Sequence, residues 1–127
     1  MTDLLEQGSN WLENQRVQHA SQTVVYQRGE QSVEVAATIG KTEFEVDDGH
    51  GILQRVESRD YLILSADLVV GGQTTLPERG DRVRETQSEK VFVYEVIAPG
   101  GEPAWRYSDP YRKTLRIHSK HVATEDA

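Results

Sequence analysis

The sequence predicts a mainly β fold: a small antiparallel β-barrel or sandwich of about seven strands with one N-terminal α-helix. Three observations carry this prediction. Apolar and polar residues alternate in short runs from residue 22 onward, turn-forming residues punctuate these runs, and helical spacing is confined to the first twenty residues. At 127 residues, the chain is expected to form a single domain, 1–127.

The N-terminal segment, residues 2–19, is predicted to be an amphipathic helix. Asp3 and Glu6 have the spacing of a capping box, and apolar residues such as Leu4 and Trp11 recur at helical intervals. Such a stripe usually packs on the parent sheet. Binding of the helix to a partner protein is the alternative.

A β region is predicted over residues 22–121, and its first half alternates most clearly. A strand at 23–27 precedes a hairpin turn at 28–30, and the strand at 33–39 has the regular alternation of a half-buried strand. Gly40-Lys41 is then expected to turn the chain into a further short strand at 44–46.

Short strands separated by turn signals continue through the second half. Five are predicted, at residues 52–57, 59–65, 82–86, 91–97 and 111–121. Ser58 is expected to break the first two apart. The pair Gly71-Gly72 favours a mobile loop over residues 68–75, and residues 122–127 are expected to be a frayed tail.

Composition narrows the classes of function. The chain has no cysteine and a net charge of −7, which argues against thiol chemistry and against a surface for duplex DNA. No apolar run is long enough for a membrane span, so no membrane contact is expected. The one dense cluster of potential ligands, Asp47-Asp48-Gly49-His50, lacks the spacing of a calcium loop. We therefore expect a non-enzymatic protein without catalytic residues, cofactor or metal.

One segment combines aromatic rings with positive charge. Between Trp105 and His121 there are five Lys or Arg residues and one Asp, a local charge of +4. Candidate protein-contact residues are Trp105, Arg106, Tyr107, Asp109, Tyr111 and Arg112, because aromatics and Arg dominate interface hot spots. Two alternatives stay open at this point: ordinary packing of the aromatics, and an OB-like module that binds single-stranded nucleic acid.

Three parts of the sequence resemble a known family. They are Arg59-Asp60-Tyr61-Leu62-Ile63 with Ala66-Asp67-Leu68, the turn Pro77-Glu78-Arg79-Gly80-Asp81 into Arg82-Val83, and the ending Trp105-Arg106-Tyr107-Ser108-Asp109-Pro110-Tyr111-Arg112. Over about residues 55–120, this order resembles the small head–tail joining proteins of tailed phages, the head completion or stopper proteins. A tail terminator is a related alternative.

The resemblance implies a virion protein that sits between portal and tail. It would assemble as a homo-oligomeric ring, commonly a hexamer, contact portal or adaptor and tail proteins, and stay in the bacterial host cytoplasm before assembly. A loop of such a ring narrows the DNA channel and touches the passing DNA transiently. The candidate channel or gating loop consists of Val69, Val70, Gly71, Gly72, Gln73, Thr74, Thr75 and Leu76.

Overall fold

The computed structural model describes residues 21–47 and 49–126, so the helix predicted over residues 2–19 lies outside it. Within these residues, the chain forms nine strands: β1 Gln22–Arg28, β2 Gln31–Asp47, β3 Leu53–Leu64, β4 Val69–Val70, β5 Gln73–Thr74, β6 Arg82–Gln87, β7 Lys90–Val96, β8 Trp105–Tyr107 and β9 Thr114–Asp126. Two short 3-10 helices, Ser65–Asp67 and Pro99–Gly101, interrupt them. No helix in the described part of the chain is long and apolar enough to cross a membrane.

Seven strands form one antiparallel sheet in the order β3-β2-β1-β6-β7-β9-β8, and β4 pairs only with β5. β9 also pairs with β3, from Asp60 opposite His118 to Leu64 opposite Thr114, so the sheet bends back on itself. The mainly β prediction is confirmed. In place of the predicted barrel or sandwich there is one large antiparallel sheet of seven strands, because β9 pairs with β3 as well as with β7 and β8.

The core lies on one face of this sheet; burial alternates along β1 and β2, whereas β3 and β9 are buried on both faces near Asp60. The strand residues of the core are Val24, Tyr26, Val35, Ala37, Tyr61, Ile63, Val83, Val96, Leu115 and Ile117. Leu68 and Val70 add apolar side chains from the segment that follows β3. Along β1 and β2, alternation therefore determines which face is buried, as expected for a half-buried strand.

Two predicted breaks are absent, which makes β2 and β3 longer than expected. β2 continues through Gly40, and β3 continues through Ser58. A Cβ atom at Gly40 would lie 3.4 Å from Leu62 Cδ1 and 3.5 Å from the Arg116 guanidinium. These are ordinary van der Waals distances, so Gly40 is a regular residue within β2, paired with Asp60, and the chain does not turn there.

The end of the chain also differs from the prediction. Residues 111–113 belong to a turn, and β9 begins at Thr114. Residues 122–126, predicted as a frayed tail, continue β9 and pair with β7, where Val91 lies opposite Glu125. Pairing with a neighbouring strand stabilises this segment although its side chains are mostly exposed.

The predicted mobile loop at residues 68–75 is a compact hairpin. β4 and β5 are joined by Gly71 and Gly72, which have φ angles of 67° and 80°. Two consecutive positive φ angles are the signature of a type I′ turn, which fits the twist of the flanking strands. The glycine pair thus forms a tight hairpin turn in place of a flexible loop.

Candidate contact surface

The predicted contact residues begin in β8, a short strand at one edge of the sheet. Trp105 pairs with Ile117 and Tyr107 pairs with Leu115, so both rings lie on the core side. Their centroids are 5.1 Å apart in an edge-to-face arrangement, and both side chains are half-buried. Arg106 lies on the opposite face and is exposed. The two rings therefore pack β8 against the core at the edge of the sheet. This packing does not favour the alternative in which they stack on nucleic-acid bases.

The turn after β8 is organised by a single carboxylate. Asp109 Oδ1 accepts hydrogen bonds from the backbone N–H groups of Lys113 and Thr114 at 2.9 and 2.8 Å, and Oδ2 accepts one from Tyr111 N at 3.2 Å. Short polar side chains commonly hold turns in this way. Asp109, predicted as a contact residue, therefore has an evident structural role within its own turn.

Arg112 projects from the same turn. Its backbone φ of 59° is unusual for a residue other than glycine, and its guanidinium lies 5.9 Å from the ring centroid of Tyr107. The side chain is exposed. The positive charge of Arg112 is thus held beside an aromatic ring at the surface, which is the composition of interface hot spots.

The two predicted candidate segments are neighbours in the structure. Ser65 N donates to Lys113 O at 2.8 Å, and Ser65 Oγ donates to Arg112 O at 3.3 Å. A groove of about 530 Å³ is lined by Ser65, Thr74, Thr75, Leu76, Pro77, Glu78 and Tyr107. Leu76 is exposed at this groove, and Val70 from the same segment is buried in the core. We call Tyr107, Arg112 and Leu76 together the contact surface. Arg106, on the other face of β8, lines a separate groove with Thr42 and Phe44.

A buried carboxylate anchors the segment that carries Leu76. Asp81 accepts hydrogen bonds from Arg28 at 3.0 and 2.8 Å, from the backbone of Glu78 at 2.9 Å, and from the Tyr26 hydroxyl. Arg28 also donates to Leu76 O at 2.7 Å. Burial would raise the pKa of the Asp81 carboxyl, but the bonds from Arg28 and Tyr26 outweigh it and hold this pKa below its usual range.

A second buried carboxylate lies where β2, β3 and β9 meet. Asp60 accepts hydrogen bonds from Ser58 at 2.5 Å, Arg116 at 2.5 Å and Thr42, and its Oδ1 lies 2.9 Å from His118 Nδ1. Burial opposes ionisation, but the bonds from these four side chains prevail and hold the pKa of Asp60 well below its ordinary value. The charged carboxylate therefore links three strands.

The serine, histidine and aspartate of this cluster do not form a catalytic triad. In a triad, histidine contacts the serine with one ring nitrogen and the aspartate with the other. Here Ser58 Oγ and His118 Nδ1 both approach the same oxygen, Asp60 Oδ1, and Ser58 is buried. The arrangement is suited to holding strands together, because the serine proton is directed to the carboxylate.

A third buried carboxylate, Glu85 on β6, pairs with Arg59 at 2.8 Å and accepts a hydrogen bond from Gln22 at 2.9 Å. The Arg59 guanidinium also lies 5.0 Å from the ring centroid of Tyr94. No group of three or more His, Asp or Glu side chains among residues 21–47 and 49–126 is placed to hold a metal ion. The three buried acids thus act through arginine partners that the linear sequence did not indicate.

Sequence reasoning also missed a projecting element, which we call the arm: residues 42–47 of β2 and 53–57 of β3, with residues 49–52 at its end. β3 pairs with β9 only as far as Arg59, so the arm extends about 20 Å beyond that point. Phe44 packs edge-to-face on His118, and Val46 lies under the turn at Gly100. At the tip, Leu53 is 63% exposed. The arm is therefore supported on one face and open on the other.

Comparison with known proteins agrees with the resemblance of the sequence. The profile of the family described as phage head-tail joining protein matches residues 2–126. The chain belongs to the phage head–tail joining protein family. No curated protein sequence matches it. As a head–tail joining protein, it is a structural component of the phage particle at the junction of head and tail, where portal and tail proteins are its partners.

Proposed function

We propose that this head–tail joining protein is a head completion or stopper subunit that forms a homo-oligomeric ring, a hexamer, between portal and tail. The observation that carries the proposal is the family match over residues 2–126. Its small size and its single sheet with projecting segments suit a role in assembly, since such segments provide contacts with neighbours.

The contact surface supports the proposal at the level of residues. Arg112 is exposed beside Tyr107, and Leu76 adds exposed apolar area at the same groove. Arg106 is exposed on the other face of β8. These residues belong to an edge strand and to segments fixed by Asp109 and Asp81. A rigid surface loses little conformational entropy on binding, which favours assembly.

The predicted channel loop remains a proposal as well. Residues 69–76 would face the channel as the β4–β5 hairpin and touch DNA as it passes. The segment carries no Lys or Arg, and the chain has a net charge of −7, so few positive side chains would grip phosphates. In host cells, the free subunit would reside in the cytoplasm until it joins a particle.

Mass spectrometry of purified particles tests the proposal directly. We expect this polypeptide in intact particles at a copy number far below that of the capsid protein. Particles produced without the gene should accumulate as separate heads and tails. Joined, infectious particles that lack the polypeptide would overturn the proposal.

Alanine variants of the exposed residues Arg106 and Arg112 test where neighbouring proteins of the particle bind. R106A and R112A should each reduce the yield of joined particles about tenfold or more, because hot-spot Arg residues contribute 2 kcal/mol or more. R79A, another exposed Arg, is the matched control and should join heads to tails normally. Asp109 is unsuited to this test because its loss would disturb the turn.

A further inference from the structure

A groove of about 540 Å³ opens where the arm joins the rest of the sheet. Strands β2, β3, β7 and β9 all contribute to its lining, which includes Ile39, Lys41, Arg59, Tyr94 and His121. Ile39 and Tyr94 are half-buried, whereas Lys41 and His121 are exposed. The groove therefore combines apolar area with a polar rim. It is continuous with the open face of the arm, because alternate residues of β2 from Lys41 onward face the same way.

Positive charge in this groove is not fully balanced by the described residues. Lys41 lies directly opposite Arg59 across β2 and β3, and like charges in such a pair are destabilising. Arg59 is paired with Glu85 at 2.8 Å, but Lys41 forms no ion pair with any residue of 21–47 or 49–126. Glu57 also lines the groove, and it lies opposite another acid, Glu43. An occupant that places a carboxylate beside Lys41 would therefore be stabilised there.

The first described residues lie beside this groove. Gln22 pairs with Ala37 in an antiparallel register, so the chain that precedes Gln22 runs in the direction of β2 toward Ile39. Gln22 also donates a hydrogen bond to Glu85 at 2.9 Å, and Glu85 bonds Arg59 of the groove lining. These bonds fix the point at which the preceding segment leaves the sheet, so that segment needs no linker to reach the groove.

Residues 2–19 have the length and the composition to cover the groove. As the predicted helix they would be about 27 Å long. The open face of the arm extends about 20 Å beyond the groove. The segment carries apolar residues such as Leu4, Trp11 and Leu12 at helical intervals. Its three acidic residues and one arginine give a net charge of −2, which complements the unpaired lysine of the groove.

We propose that residues 2–19 fold back over this groove in the free subunit. Trp11 packs on Tyr94, and Glu13 lies beside Lys41. The occupant is thus the N-terminal segment of the same chain, which closes the end of the sheet from which the arm projects. The inference does not depend on the proposed function, because it concerns the isolated subunit.

Tryptophan fluorescence tests the position of the segment. The chain has two tryptophans, so W105F leaves Trp11 as the only one. A nitroxide attached at K120C, an exposed position in the groove lining, should quench most of the Trp11 emission. The matched control is a nitroxide at Q73C, which is also exposed but belongs to the hairpin after the other end of β3. It should leave the emission nearly unchanged.

A mixing experiment distinguishes the same chain from a second copy. Nitroxide-labelled W11F/W105F/K120C protein has no tryptophan and is added to unlabelled W105F protein. Emission from Trp11 should stay unchanged, because each groove is covered by its own segment. Quenching in this mixture would place the segment of another copy on the groove and would overturn the proposal.

Charge variants test the contact between Glu13 and Lys41. In the W105F background, E13K and K41E should each make Trp11 more accessible to acrylamide, and E13K/K41E together should restore its protection. E89K, at an exposed acid in the turn between β6 and β7, is the control and should change nothing. Circular dichroism of each variant would verify that the sheet is intact. Unchanged protection in both single variants would overturn the contact.

The decisive result against the proposal concerns Trp11 itself. If acrylamide quenches Trp11 in the folded W105F protein as strongly as in urea, and K120C labelling has no effect, the groove is not covered by residues 2–19. The segment would then be available to a partner protein, which is the alternative that its amphipathic pattern leaves open. That result would leave the connector role standing, whereas absence of the polypeptide from particles would not affect the groove.

Discussion

Two hairpins of this protein, β4–β5 and the arm, have opposite relations to the rest of the molecule. The β4–β5 hairpin contains the glycine pair that indicated mobility, yet Val70 is buried in the core and Arg28 and Asp81 fix the segment that follows. The arm consists of regular strands, yet its tip exposes Leu53. Regular backbone pairing therefore does not identify the anchored hairpin. Buried side chains and polar bonds do.

The largest effect on stability is expected from removing the anchor of the β4–β5 side. D81A would leave the buried Tyr26 hydroxyl and the Arg28 guanidinium without their carboxylate. Loss of one partner of a buried ion pair lowers the free energy of unfolding by roughly 3–5 kcal/mol. Because Arg28 is partly exposed, we expect a loss of about 3 kcal/mol for D81A. Urea denaturation measures the change. D67A, at an exposed aspartate, is the control and should change stability by less than about 0.5 kcal/mol. Equal losses would mean that Asp81 is no anchor.

At the root of the arm, D60N should lower the free energy of unfolding by roughly 2–3 kcal/mol at neutral pH, because hydrogen bonds to a charged group are lost. The pKa of Asp60 is lower in the folded than in the unfolded protein. Its stabilisation is therefore complete above the ordinary value of 3.8 and is lost as pH falls through the folded pKa.

Unfolding curves measured between pH 7 and pH 2 test this dependence. Unmodified protein should lose more stability on acidification than D60N. D126N, at an exposed aspartate, should retain the pH dependence of the unmodified protein. Parallel curves for the unmodified protein and D60N would contradict the lowered pKa.

The turn of the β4–β5 hairpin should respond less strongly. G71A places a Cβ at a φ of 67°, which costs about 1–2 kcal/mol for an L-residue. The new Cβ would also approach Gln31 Oε1, the end of a flexible side chain that can move. G72A has a φ of 80° and open space around it, so it isolates the backbone cost. Thermal unfolding should give similar losses for both variants. A cost near zero would mean that the turn is mobile after all.

The smallest effect on stability is expected at the tip of the arm. L53S should change the free energy of unfolding by less than about 0.5 kcal/mol, because the side chain is mostly exposed. V122S, at another exposed apolar residue, is the control and should change stability by a similarly small amount. A loss above about 1 kcal/mol for L53S would mean that the tip packs against another part of the chain.

The sequence predicted those features that depend on neighbouring residues. Alternation and turn residues predicted the β1–β2 hairpin at Gly29 and the two strands, 82–86 and 91–97, that the structure joins as the β6–β7 hairpin, since both patterns are local. The pairing of Asp60 with His118 joins residues 58 positions apart, and a single sequence carries no signal for that distance. Gly40 was interpreted as a turn because glycine often marks a chain reversal, and its pairing with Asp60, twenty residues away, is not visible in the sequence.

At the contact surface, too, the sequence indicated the local features and missed those that join distant residues. Composition indicated Arg106 and Arg112, because clustered aromatics and cations are visible in the sequence. It did not indicate that the groove beside Tyr107 would bring Leu76 to the same place. The arm was missed because Gly40 and Ser58 were interpreted as breaks, which divided β2 and β3 into strands too short to project.

The position of β9 has a consequence for the order of folding. β9 pairs with β3, β7 and β8, and these pairings connect residues that are far apart in sequence. Chains dominated by such distant pairings fold slowly, in milliseconds to seconds, because loop closure precedes the stabilising contacts. On the ribosome, β1, β2 and β3 would emerge with the β3 edge still open. Newly made subunits would therefore be most prone to aggregation until β9 is released.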